Sequence, residues 1–137
     1  METGFKSQLL MSQAIGHKLA GNIEGAIDSN LAAIKVAAHH PGLSEDVCTM
    51  LNYLADLFTI QGDDASALAS IQEAIRLARD IRSALLPTHL LMSAGILLRM
   101  GRRGQAKEEA EEALRLYRRQ EHAYGVSRAS EFLSRIT

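Results

Sequence analysis

Residues 62–75 read Gly-Asp-Asp-Ala-Ser-Ala-Leu-Ala-Ser-Ile-Gln-Glu-Ala-Ile, and this stretch sets the pattern of the chain. It starts with a glycine and carries alanines five and twelve positions later, the second followed by an isoleucine. The same pattern recurs after Gly21 and Gly101, which lie 41 residues before and 39 residues after Gly62. A repeat of about 40 residues is typical of a stacked array of similar units, so the sequence predicts a repeat fold.

The alignment of the three blocks extends to both sides of the glycines. Leucine or alanine occupies the shared positions eleven and seven residues before the glycine and five and twelve after it, namely Leu10, Leu51, Leu90, Ala14, Ala55, Ala94, Ala26, Ala67, Ala106, Ala33, Ala74 and Ala113. Alanines at a contact let two helices approach closely, and glycine lets the chain reverse within few residues. Each block therefore predicts a helical hairpin. One hairpin cannot bury its own apolar face, so each must stack on the next.

Apolar residues recur at helical spacing nearly throughout, and no segment alternates with period two. We therefore predict an all-α fold, a right-handed superhelix of stacked hairpins with about seven helices in a single domain, residues 1–137. The hairpins are predicted over about 5–39, 45–82 and 84–119, with a terminal helix over about 123–136. The terminal helix either begins a fourth pair or caps the third.

Helix ends and charges give further local predictions. We expect Ser44 and Asp63 to cap the two helices of the middle hairpin, and Ser83 or Pro87 to open the helix that follows it. The acidic segment 108–112 and the basic segment 115–119 predict ion pairs within one helix.

Composition excludes several classes of protein. Cys48 is the only cysteine, so neither an intrachain disulfide nor a thiolate metal cluster can form. The longest mostly apolar stretch, Leu90–Leu98, is far shorter than the ~20 residues of a membrane span. No basic segment followed by an apolar core opens the chain, so we expect no secretory signal, no membrane partner and a cytoplasmic location.

Net charge is −1, but the charge is unevenly distributed. Residues 1–80 hold 5 Lys/Arg and 10 Asp/Glu, whereas residues 81–137 hold 10 and 6. This uneven charge distribution could orient a partner or favour head-to-tail contact between two copies of the chain. Alternatively, it has no function and reflects a gradual change in the composition of solvent-exposed helix faces along the chain.

Motifs that carry chemistry are missing from the sequence. His39 and His40 are adjacent, and no Cys or carboxylate stands at a metal-ligand spacing from them, so no metal site is expected. There is no phosphate loop, dinucleotide fingerprint or nucleophile elbow, which predicts no catalytic residue, no cofactor and no enzymatic activity. The basic turn Arg99–Lys107 lacks interleaved aromatics, so nucleic acid is not an expected partner.

These blocks resemble the tetratricopeptide repeat (TPR), in its longer form of about 40 residues. The resemblance rests on Gly21-Asn22 through Ala33-Ile34, on Gly62-Asp63 through Ala74-Ile75, and on Gly101-Arg102 through Ala113-Leu114. The aromatic residue usual before the turn is present only as Phe58, with His17 and Leu97 in its place in the outer blocks.

Members of this family bind peptides or helices of partner proteins in a concave groove lined by the first helix of each pair. Carried onto this sequence, the resemblance implies groove residues on three helices, namely Met11, Ile15 and Lys18, then Asn52, Asp56 and Thr59, then Leu91, Gly95 and Leu98. The apolar members of this set are equally compatible with plain core positions. A clamp for a peptide carboxylate is not expected, because only Asn52 suits it.

The resemblance thus predicts a protein-interaction scaffold, in isolation or as part of a larger regulator. Two alternatives stay open at this point. The apolar surfaces and the charge split also suit a homo-oligomerisation domain, whose partner is a second copy of the chain. A helical domain that senses a small ligand would instead need buried polar groups facing a closed pocket.

Overall fold

A computed structural model describes residues 2–137. In this part of the chain there are seven α-helices, a short 3₁₀ turn over Pro41–Leu43 and no strand. The helices are α1 (Glu2–Leu19), α2 (Ile23–Ala37), α3 (Ser44–Ile60), α4 (Asp64–Asp80), α5 (Leu86–Arg99), α6 (Arg103–Arg119) and α7 (Ala123–Ile136). The predicted all-α superhelix of about seven helices is confirmed.

The three aligned glycines make the reversals within hairpins. Gly21, Gly62 and Gly101 have φ angles of +82°, +81° and +79°, a left-handed conformation that costs other residues energy. Caps follow two of these turns. The Asn22 side chain accepts a hydrogen bond from the Gly25 amide at 2.9 Å, and Asp63 accepts one from the Ser66 amide at 3.1 Å. The predicted Asp63 cap is confirmed.

The predicted Ser44 cap is wrong. Ser44 is already the first residue of α3, and its hydroxyl donates to the Pro41 carbonyl at 3.0 Å instead of accepting from an α3 amide. The cause is the 3₁₀ turn before it, which places Leu43 at the flanking position. The α5 helix begins at Leu86 with Pro87 in its first turn, where a missing N–H leaves no helical bond unmade.

The aligned alanines form the contacts between helices. Every one of them is fully buried, as the repeat alignment requires: Ala14, Ala26, Ala33, Ala55, Ala67, Ala74, Ala94, Ala106 and Ala113. Helices pack within the pairs α1–α2, α3–α4 and α5–α6, and between pairs α2 packs on α3, α4 on α5 and α6 on α7. One apolar core therefore runs through the stack, with a smaller cluster around Ile27 and Leu57 between the first two hairpins.

Charged side chains link the hairpins on the outside. Arg79 on α4 donates two hydrogen bonds to the Glu112 carboxylate on α6, at 2.7 and 2.9 Å. This corrects the prediction of ion pairs within α6, since none of the ion pairs between described residues joins two residues of that helix. The guanidinium fork matches a carboxylate in two-point geometry, which favours Arg79 over a flexible neighbour on the same helix. No described helix is long and apolar enough to cross a membrane.

Candidate partner-binding groove

The first helices of the successive units, α1, α3, α5 and α7, lie along one side of the superhelix. We call this side the groove. The nine residues predicted from the sequence lie on three of these helices, three each on α1, α3 and α5: Met11, Ile15, Lys18, Asn52, Asp56, Thr59, Leu91, Gly95 and Leu98. Side-chain contacts join neighbouring helices along the groove.

The first such contact joins α1 to α3. Lys18 Nζ donates to the Asp56 carboxylate at 2.9 Å and lies 5.2 Å from the centre of the Tyr53 ring. The hydrogen bond to Asp56 raises the pKa of Lys18 above its ordinary value. Both charged groups are about one-third exposed, so this pair positions the two helices more than it stabilises the fold.

The second contact joins α3 to α5 and involves a buried histidine. The amide nitrogen of Asn52 lies 2.9 Å from Nδ1 of His89, so the amide donates and the imidazole accepts. Burial lowers the pKa of His89, which keeps the ring neutral at pH 7 and able to accept this bond. Beside this pair is a cavity of about 200 Å³, lined also by Thr49, Tyr53, Leu85 and Thr88.

A larger cavity of about 300 Å³ lies between α5 and α7. Its apolar and small lining residues are Leu91, Met92, Gly95 and Phe132, and its charged lining residues are Arg99, Arg128, Glu131 and Arg135. The cavity thus combines an apolar surface with three arginines against one glutamate.

The three arginines differ in their partners. Arg99 donates to Thr59 and to the Asp64 carboxylate, each at 3.1 Å, and Arg135 is paired with Glu131. Arg128 lies over the Tyr124 ring, 5.9 Å from its centre, and makes no ion pair with any residue between 2 and 137. The cavity therefore offers an arginine whose charge is open to an acidic ligand group.

The remaining predicted residues occupy mixed environments. Leu91 is buried in the core, although it also lines the α5–α7 cavity. Met11 and Leu98 are partly buried and pack against the core, whereas Ile15 is 45% exposed. The structure therefore brings together Lys18 with Asp56, and Leu91 with Gly95, but leaves the α1 end of the set more open.

Sequence reasoning missed the contribution of α7. Arg128, Phe132 and Arg135 line the larger cavity, yet no glycine after α7 marks a fourth block to align with the others. The sequence did contain one signal, a glycine near the start of the helix. In the structure Gly125 packs against the Tyr117 ring of α6. Such a close contact is expected where the first helix of a new pair packs on the hairpin before it.

The described part of the chain gives no support for a metal site or for a nucleophilic cysteine. No three His, Cys, Asp or Glu residues between positions 2 and 137 come together as a metal site. Cys48 is buried, and burial raises the pKa of its thiol to about 11, so it is not a nucleophile at neutral pH.

Comparison with solved structures finds the same architecture in helical repeat proteins. The apo form of RapI matches with a TM-score of 0.89 and 9% identity, over 96% of this chain and 48% of RapI. The first TPR of Spaghetti (RPAP3), bound to the HSP90 peptide SRMEEVD, matches with a TM-score of 0.74 and 15% identity, over 96% of this chain and 90% of that one. This chain has a TPR-like fold.

A third match is the type III secretion chaperone SycD of Yersinia enterocolitica in complex with a peptide of the translocator YopD. Its TM-score is 0.75 at 20% identity, over 94% of this chain and 90% of SycD. Identities this low establish the fold alone, and the chain spans about half the length of RapI. No protein-family model matches the sequence, and no curated protein sequence matches it.

Proposed function

We propose that this chain is a protein-interaction module of the long-repeat TPR form, and that it binds a peptide or helix of a partner protein in the groove. One observation carries the proposal. The groove contains a cavity of about 300 Å³ that combines apolar and charged lining residues, and one of them, Arg128, has no carboxylate partner among the described residues. Binding sites combine such apolar lining with a few polar groups that fix orientation.

The lining defines the partner chemistry that we expect. Leu91, Met92 and Phe132 suit an apolar side chain, and Arg128 suits a carboxylate beside it. The partner segment should therefore carry an acidic group next to an apolar one. Two structures of this fold, Spaghetti and SycD, hold peptides of other proteins, and this supports a peptide-binding use of the fold.

A peptide array of varied sequence, probed with the purified chain, identifies the preferred segment. We expect bound peptides to be enriched in a carboxylate adjacent to an apolar residue. Fluorescence anisotropy with the best peptide then gives the affinity. Enrichment of basic peptides, or no enrichment at all, would contradict the proposed chemistry.

Two variants locate the binding in the cavity. Gly95 has no atom within 4 Å of a Cβ built on it, so Gly95→Leu fills the cavity while leucine favours the helix. Arg128→Glu replaces the positive charge that has no carboxylate partner with a negative one. Each should weaken binding at least about tenfold, as loss of a central interface anchor does. The matched controls are Gly104→Leu, which is equally unhindered, and Arg118→Glu, which is exposed on α6.

The middle of the groove is tested separately. Asn52→Ala combined with Asp56→Ala should weaken binding while the helical circular dichroism signal is kept. If this pair leaves the affinity unchanged and changes on α2, α4 or α6 abolish it, the binding surface lies on the other side of the superhelix.

A further inference from the structure

The side chain of His89 holds the amide of Asn52 in one orientation. An amide nitrogen can only donate, so its 2.9 Å contact with Nδ1 of His89 requires an unprotonated Nδ1 that accepts. His89 is 2% exposed, and its other nitrogen, Nε2, is enclosed without a hydrogen-bond partner among the described residues. Asn52 is thus the side chain that sets the protonation of the ring. In return, the ring fixes the amide nitrogen toward itself and leaves the amide oxygen free.

This free oxygen belongs to a residue that lines the α3–α5 cavity of about 200 Å³. Oδ1 of Asn52 accepts no hydrogen bond from a described residue, and it is not enclosed by protein. The two threonines of the lining use their hydroxyls elsewhere. Thr49 donates to a carbonyl of its own helix at 3.4 Å, and the Thr88 hydroxyl lies 3.0 Å from that of Tyr117. The Asn52 oxygen is therefore an acceptor that the cavity offers to a ligand.

The lining of this cavity carries no charge at pH 7. Burial lowers the pKa of His89 and keeps its ring neutral, and the other lining residues are leucine, threonine, tyrosine and asparagine. Asp56, a carboxylate on the same helix as Asn52, is already paired with Lys18. A carboxylate ligand would face the Asn52 oxygen, and an ammonium would lose its water without a carboxylate in return. The cavity therefore suits an uncharged group with an apolar stem and an N–H donor.

We propose that the α3–α5 cavity takes the side-chain carboxamide of an asparagine or glutamine of the partner segment, and that His89 is the positioning residue that makes the cavity select it. The carboxamide nitrogen donates to Oδ1 of Asn52, and the carboxamide oxygen accepts from the hydroxyl of Tyr53, which also lines the cavity. A carboxylate is disfavoured, because the Asn52 nitrogen that could donate to it is bonded to His89. This inference rests on the proposed binding of a partner segment in the groove.

The two cavities of the groove set the spacing of the groups that they bind. Thr88 lines the α3–α5 cavity and Gly95 lines the α5–α7 cavity, seven positions further along α5. A helix rises 1.5 Å per residue, so the two positions lie about 10 Å apart along the axis. That distance is spanned by about three residues of an extended peptide. Bound peptides should therefore carry asparagine or glutamine about three residues from the acidic and apolar pair.

NMR of His89 tests the orientation of the amide without any ligand. Long-range ¹H–¹⁵N correlation on the ¹⁵N-labelled chain at pH 7.5 distinguishes the protonated ring nitrogen from the unprotonated one. We expect the proton on Nε2 and none on Nδ1. A proton on Nδ1 would mean that Asn52 turns its oxygen to the ring and its nitrogen to the cavity. That result would overturn the proposal whether or not a peptide binds.

Peptides that differ at one residue test the selectivity. The best peptide from the array, with glutamine at the expected position, is compared with versions that carry methionine or glutamate there. The wild-type chain should bind the glutamine version at least about fivefold more tightly than either, as expected for one hydrogen bond. A merely structural role of His89 predicts no such preference.

Two variants assign the preference to His89. His89→Met introduces the residue that α3 carries at the aligned position, Met50, and removes the acceptor, so that Asn52 can rotate. The preference for glutamine should fall below about twofold in this variant. Leu90→Met is the control, because Leu90 is fully buried beside His89, lines neither cavity and is exchanged for a residue of similar volume. It should keep the preference, and circular dichroism confirms that both variants fold.

Failure of this proposal can be distinguished from failure of the groove function. Peptides that bind and are lost with Gly95→Leu, but show equal affinity for glutamine, methionine and glutamate, would overturn the selectivity and leave groove binding intact. A His89→Met chain that keeps the full preference would overturn the positioning role in the same way. Absence of any bound peptide would contradict both proposals.

Discussion

Gly125 gives a test of how closely α6 and α7 pack. In most helices Gly→Ala stabilises, because alanine loses less backbone freedom on folding. At Gly125 a Cβ would fall among the Cγ, Cδ1 and Cε1 atoms of the Tyr117 ring, well inside van der Waals contact. The ring has little room to move. It is 4% exposed, its hydroxyl is 3.0 Å from the Thr88 hydroxyl, and it lies beside His122.

The magnitude follows from two opposing terms. Removing glycine from a helix gains at most about 1 kcal/mol. Forcing a methyl group into a packed site costs about 1–3 kcal/mol, through displaced side chains and backbone. We expect Gly125→Ala to lower the free energy of unfolding by up to about 2 kcal/mol. Gly104→Ala is the matched control, because it lies in the first turn of α6 with nothing within 4 Å, and it should be neutral or stabilising.

Urea unfolding followed by circular dichroism measures both variants. The difference in unfolding free energy between Gly104→Ala and Gly125→Ala should be about 1–3 kcal/mol. In a Tyr117→Ala background the cost of Gly125→Ala should largely disappear, since the clashing ring is gone. If Gly125→Ala stabilises the chain as Gly104→Ala does, the close packing of α7 on α6 is refuted.

Three further predictions concern the core and its titrating groups. Ala67→Leu and Ala74→Leu should each lower the free energy of unfolding about 1–3 kcal/mol more than Ala65→Leu, because the first two sites are fully buried and Ala65 is exposed; equal melting temperatures would invalidate the repeat alignment. Burial lowers the pKa of His89, so the unfolded chain binds a proton more readily and stability should fall as pH drops below the ordinary histidine value of 6.5. His89→Gln should flatten that slope in denaturation curves at pH 7 and 5.5, and an unchanged slope would exclude His89 as its source. The buried Cys48 thiol, with a pKa of about 11, should resist a thiol reagent at pH 8 in the native chain and react in denaturant, whereas rapid native labelling would contradict its burial.

The architecture could be predicted from the sequence because its determinants are local and repeated. A glycine at each reversal and alanines at fixed offsets from it recur three times, and each position has one structural role. The left-handed Gly62 and the buried Ala67 and Ala74 illustrate this. No long-range information was needed to place the helices.

The side-chain pairs between hairpins could not be predicted in the same way. Glu112 has several arginines within reach in sequence, and only the stacking of the third hairpin on the second brings its carboxylate to Arg79. The α5–α7 cavity could not be predicted for a related reason. Arg128, its arginine without a carboxylate partner, lies on α7. No turn glycine follows α7, so the helix could not be aligned with α1, α3 and α5. The nine groove residues taken from the resemblance remain predictions for a binding experiment to decide.

The most direct test of the proposed function is the location of a bound peptide on the ¹⁵N-labelled chain by NMR. Titration with the best peptide from the array should shift amide signals of α5 and α7 around Gly95 and Arg128, with smaller shifts on α3 near Asn52. The Gly95→Leu chain should show none of these shifts at the same peptide concentration. Shifts confined to α2, α4 and α6, or unaffected by Gly95→Leu, would contradict binding in the groove.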